Sequence, residues 1–180
     1  MNLPNKLTLF RIFLIPILVI LFMLDFPNKY IFSCVVFVIA SITDALDGHI
    51  ARKYNLITDF GKFMDPLADK LLVLSILICM IQVNLVAPWM VIIIVSRELT
   101  VSILRAIAAA DGKVIAAGGS GKLKTISQMV SIIVILIGKQ YENNLLLFGG
   151  NCLLIVAVVL TLYSGWEYLY KNKELFMKSK

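Results

Sequence analysis

The sequence predicts an all-α, polytopic membrane protein: a bundle of six transmembrane helices whose active site lies toward the cytoplasmic face. Three observations carry this. Of 180 residues 60% are hydrophobic and the mean hydropathy is +0.92, more apolar surface than a soluble domain of this size tolerates. The apolar residues fall in six runs, each long enough for a helix that crosses or nearly crosses a bilayer. Of seventeen Lys and Arg, only Lys29 and Lys139 fall in the three connections on one side. The positive-inside rule therefore places both termini and the charged connections in the cytoplasm, with the chain multi-pass in the cell membrane.

One domain spanning residues 1–180 is expected, because one compact bundle suits this length and no internal repeat interrupts it. The net charge of +6 bears on topology and on contact with anionic membrane lipid, not on nucleic acid. Cys34, Cys79 and Cys152 lie in separate apolar segments and read as small apolar residues.

Taken in order, residues 1–7 read as a polar lead-in broken by Pro4, and the first helix covers about 8–24. A basic flank before an apolar run resembles a signal peptide, but no small-residue cleavage site follows, so an uncleaved span is expected. Pro16 is a candidate kink. The second helix is expected at about 30–52 and the third at about 62–82, with Pro66 near its start. The fourth runs from about 89 to 110. Arg97 and Glu98 lie near its middle and should face the bundle interior or a wet cavity. As neighbours in sequence they point about 100° apart and need not pair. Residues 111–124 form the longest polar connection, rich in glycine and lysine. It is no P-loop: Ala116 stands where the first glycine belongs, and no strand precedes it. The fifth helix is expected at about 123–138, with Lys124, Gln128 and Ser131 as a polar stripe. The sixth, about 145–170, ends in an aromatic belt of Tyr163, Trp166, Tyr168 and Tyr170.

The chemistry concentrates between Asp44 and Asp69. Carboxylates at membrane depth are costly and usually functional. Asp44 and Asp47 are i,i+3, and Asp65 and Asp69 are i,i+4, so each pair shares one face of its helix. If the second and third helices are antiparallel neighbours, four carboxylates meet, with Asp44 and Asp69 at one level and Asp47 and Asp65 nearer the turn. Such a cage would repel itself unless a hard cation neutralised it, and oxygen ligands suit Mg²⁺ or Mn²⁺. His49 alone, with no cysteine nearby, does not indicate a zinc site. Two cations about 4 Å apart would suit transfer at phosphorus. The bland alternative, helix caps or structural ion pairs, is disfavoured by the rarity of intramembrane acids.

The pattern D-x2-D-G-x2-A-R-x8-G-x3-D-x3-D is filled by Asp44, Asp47, Gly48, Ala51, Arg52, Gly61, Asp65 and Asp69. It resembles the signature of the CDP-alcohol phosphotransferases, integral membrane enzymes of phospholipid synthesis. The resemblance implies two bound Mg²⁺ or Mn²⁺ on Asp44, Asp47, Asp65 and Asp69, with Asp69 also the catalytic base. It further implies that CDP-diacylglycerol packs against Gly48 and Gly61 and that Arg52 holds its diphosphate. Asn5, Thr8 and Arg11 recur every three residues at the start of the first helix. They read either as a cap with topology charges or as residues lining the cytoplasmic mouth. Their N-x2-T-x2-R pattern resembles the nucleotide side of the branch that makes phosphatidylglycerophosphate, which places Asn5 and Thr8 at the CDP-diacylglycerol site. Arg105, Lys122 and Lys124 are either positive-inside charge or a pocket for an anionic acceptor. The same branch implies sn-glycerol 3-phosphate as that acceptor, and a homodimer.

Three rivals are weighed against this. A sister enzyme would take serine, inositol phosphate or phosphatidylglycerol. A membrane prenyltransferase would resemble a longer chain with differently spaced acids. A divalent-cation transporter would spread polar residues along a full path, often in paired halves. Here the acids cluster toward one face.

Overall fold

The computed structural model describes residues 2–53, 59–110 and 119–171. Among them it contains six helices and no strand: α1 (Leu3–Met23), α2 (Lys29–Lys53), α3 (Asp59–Gln82), α4 (Pro88–Ala110), α5 (Gly119–Gln140) and α6 (Asn144–Lys171). They form two units. One comprises residues 1–85 with 136–144, and the other residues 86–135 with 145–180.

In the first unit α1 packs along both α2 and α3, while among the described residues α2 and α3 meet over a much shorter length. The buried seam is apolar: Leu18 and Phe22 from α1, Phe37 and Ala40 from α2, and Ala68, Leu72 and Ile76 from α3. α1 begins at Leu3, earlier than the polar residues suggested, because proline fits the first helical turn, where its missing N–H has no partner to lose. Pro16 and Pro66 lie inside helices that continue through them. α3 stops in a left-handed cap at Asn84, φ 56°. Asn84 N–H donates to the Ile81 carbonyl and Leu85 N–H to that of Met80, both at 2.9 Å. These two bonds satisfy carbonyls the helix end leaves open.

In the second unit α5 and α6 approach closely at Gly150. A Cβ there would lie 2.5 Å from Ile135 Cγ1, so only glycine fits. Beside it the Ser131 hydroxyl donates to the Gly150 carbonyl oxygen at 2.8 Å. The stripe Lys124, Gln128 and Ser131 is buried.

Among the described residues three helical stretches are long and apolar enough to cross a membrane: Asn5–Met23, Gly121–Gln140 and Asn144–Lys171. α2, α3 and α4 interrupt their apolar runs with charged residues, the feature that makes them functional candidates. Large apolar side chains such as Phe13, Ile92, Phe148 and Leu145 stand exposed on several helices. Apolar surface this extensive calls for lipid, and the chain is a membrane protein.

Candidate active site

Asn5, Thr8 and Arg11 share one face of α1, and all three are buried. Thr8 and Arg11 point at the carboxylates of the first unit. The Arg11 side chain has no exposed surface, and its guanidinium pairs with Asp44 Oδ1 of α2 at 2.7 Å. The Thr8 hydroxyl donates a short hydrogen bond to Asp65 Oδ1 of α3. Thus two residues one turn apart on α1 reach one aspartate on each neighbouring helix. Asp44 and Asp65 are close enough to act on one another electrostatically. Arg11 answers part of that repulsion, as a buried charge requires a partner.

Asp69 lies one turn beyond Asp65 on α3, half-buried, and Gly61 is buried near the start of the same helix. Asp47, Gly48 and Arg52 belong to α2, but their surroundings fall outside the described residues. So does the glycine-rich connection at 111–118. Among the described residues no three His, Cys, Asp or Glu groups converge on one point, and Asp47 is not among those compared. What is described is an oxygen-only donor set, Asp44 and Asp65 on facing helices, partly screened from water. That set fits a hard divalent cation and does not fit a thiophilic one.

The second unit holds a separate charged cluster. Lys124 of α5, with 5% of its side chain exposed, bonds to Glu98 of α4. Arg97 NH1 meets the same Glu98 oxygen at 3.1 Å, and its NH2 donates to Ser164 Oγ of α6 at 3.0 Å. Arg97 and Glu98 therefore do pair, although their Cα–Cβ directions diverge. The long arginine side chain lies against Gly165 of α6, where a Cβ would sit 3.1 Å from Arg97 Cγ. Beside Arg97 a cavity of about 370 Å³ opens between α4 and α6, lined by Ile92, Thr161, Leu162, Trp166 and Leu169 among others. The three expected acceptor cations have different settings. Lys124 turns to Glu98, Arg105 lies 5.7 Å from the centre of the Tyr168 ring, and Lys122 is exposed.

Sequence reasoning missed Arg11 as the partner of Asp44. The signal was its place on the Asn5–Thr8 face, an arginine inside an apolar run. It also missed Arg97 and Ser164 as neighbours of Glu98 and Lys124.

The comparisons with known proteins identify the family. The sequence profile of the CDP-alcohol phosphatidyltransferase family matches residues 1–163. A CDP-diacylglycerol–glycerol-3-phosphate 3-phosphatidyltransferase of Bacillus subtilis (strain 168) is 44% identical over 99% of this chain and 98% of its own length. Enzymes of the same name from Rickettsia bellii, 38% identical over 97% of both chains, and Salmonella choleraesuis, 40% identical over 93% of both, are also similar. The family profile covers α1 to most of α6 and every aspartate of the motif, and the chain belongs to the CDP-alcohol phosphatidyltransferase family.

Proposed function

We propose that this chain transfers the phosphatidyl group of CDP-diacylglycerol to sn-glycerol 3-phosphate, giving phosphatidylglycerophosphate and CMP. The observation that carries the reading is near-full-length similarity to enzymes of that name, with all eight motif positions present. The proposed enzyme spans the cell membrane six times as a homodimer. Both termini and the aspartate site face the cytoplasm, where a soluble acceptor and a lipid donor can both arrive.

The donor set on α2 and α3 suits two Mg²⁺ or Mn²⁺, held by Asp44, Asp47, Asp65 and Asp69. Bound there, the ions would neutralise charge on the diphosphate and on the departing phosphate. The chain's own residues do the rest. Arg52 grips the diphosphate through a fork that matches phosphate oxygens. Gly48 and Gly61 let the cytidine nucleotide approach the backbone, beside the α1 face that carries Asn5 and Thr8. Arg105, Lys122 and Lys124 attract the phosphate of the acceptor. The primary hydroxyl of glycerol 3-phosphate attacks the phosphorus next to diacylglycerol, and Asp69 takes its proton. The new P–O bond forms as the bond to CMP breaks, and CMP leaves with that electron pair. No covalent enzyme intermediate is required.

The test is CMP release by purified protein in liposomes containing CDP-diacylglycerol. Glycerol 3-phosphate, serine, inositol phosphate and phosphatidylglycerol are offered in turn. Glycerol 3-phosphate should support turnover far above the others. Preference for another acceptor would move the chain to a sister activity of the same family.

A further inference from the structure

We propose that Thr8 and Arg11 are positioning residues that hold the carboxylates of Asp65 and Asp44 in register for a divalent cation before any nucleotide binds. This rests on the reading of the aspartates as cation ligands. The argument starts from packing. α2 and α3 carry the aspartates but meet only briefly among the described residues, whereas α1 lies along both. α1 is therefore placed to relate one aspartate helix to the other. Thr8 and Arg11 reach from it to one aspartate on each, and both are fully buried.

Their spacing sets the geometry. Three residues of α-helix advance about 4.5 Å along the axis. The grip on Asp44 is thus about one turn deeper along α1 than the grip on Asp65. Each grip takes one oxygen, Oδ1 in both cases. A carboxylate has two oxygens, so a neighbour that fixes one orients the other. Arg11 also supplies the charge that lets two carboxylates approach in an apolar setting.

The hydroxyl of Thr8 has another consequence. It has a single proton, and that proton goes to Asp65. It has no second proton to donate to a phosphate. While that bond holds, Thr8 serves the nucleotide side through the carboxylate it holds.

The test is Mn²⁺ binding to the purified, detergent-solubilised full chain without nucleotide, followed by the EPR signal of free Mn²⁺. Thr8→Val keeps the shape and removes the donor; Thr8→Ser keeps the donor. Arg11→Lys keeps the charge and removes the fork. Partners that orient metal ligands typically contribute about 10–100-fold in affinity, so Thr8→Val and Arg11→Lys should weaken Mn²⁺ binding by about tenfold or more. Thr8→Ser should bind close to the parent, and all variants should elute as the parent does in size-exclusion chromatography. Parent-like Mn²⁺ binding by Thr8→Val with a raised KM for CDP-diacylglycerol would overturn the proposal and make Thr8 a nucleotide contact. Asp44→Asn and Asp65→Asn separate the two levels of the argument. Parent-like Mn²⁺ binding in those variants would overturn the cation site itself. Weakened binding there, beside unchanged binding in Thr8→Val and Arg11→Lys, would overturn only the positioning role.

Discussion

At the scale of residues the proposed site divides into cation ligands, a base and an anion-binding group. The attacking group is an alcohol, a poor nucleophile until its proton is accepted. Asp69→Asn keeps the shape and one oxygen but cannot take a proton. It should retain CDP-diacylglycerol binding in Mg²⁺ while transferring to no acceptor, whereas Asp47→Asn should weaken the binding itself. Equilibrium binding of labelled CDP-diacylglycerol beside CMP release separates the two, and substantial turnover by Asp69→Asn would remove it as the base. On the proposed acceptor side, Lys122 and Arg105 are exposed. Their replacement by alanine should leave the fold intact and raise the KM for glycerol 3-phosphate about tenfold or more, as loss of a charged hydrogen bond of about 1.5–3 kcal/mol implies. Unchanged acceptor kinetics in both would make them topology charges. Lys124→Ala differs, because it strips a buried partner from Glu98. Its cost should appear in stability as well, but below the roughly 3–5 kcal/mol of a fully broken buried pair, because Arg97 still pairs with Glu98. The placing of Asp44 on α2, and of Asp65 and Asp69 one turn apart on α3, was legible in the sequence because helical periodicity fixes it. The Arg11–Asp44 and Thr8–Asp65 contacts were not, since they depend on which helices lie side by side.

At the scale of elements, helix existence followed from apolar runs, and the ends followed from local chemistry that the runs do not display. α1 starts at Leu3 because Pro4 occupies a first turn. α5 starts at Gly119, inside a stretch whose glycines suggested a connection. Its far end carries the same cap as α3, with Glu142 left-handed at φ 50° and Asn143 N–H on the Gly138 carbonyl at 2.9 Å. The α5–α6 contact depends on one missing side chain. Gly150→Val would drive methyl groups into Ile135 and Val134. Overpacking of this kind costs about 1–3 kcal/mol, so the thermal midpoint in detergent should fall clearly below the parent's. An unchanged midpoint would mean that the helices part there at little cost.

At the scale of the whole molecule, membrane residence was legible from composition and function from one spaced motif. The path from the motif to a working site was not, because it needs tertiary placement that periodicity cannot supply. The aspartates span two helices, and α1 relates them, so the first unit carries the cation chemistry proposed here. The most direct test is CMP release from CDP-diacylglycerol and glycerol 3-phosphate by the purified enzyme, before and after chelation. The account predicts that EDTA stops release and that Mg²⁺ or Mn²⁺ restores it in the parent but not in Asp44→Ala or Asp65→Ala. Release that persists in EDTA, or near-parent turnover in either well-folded variant, would contradict it.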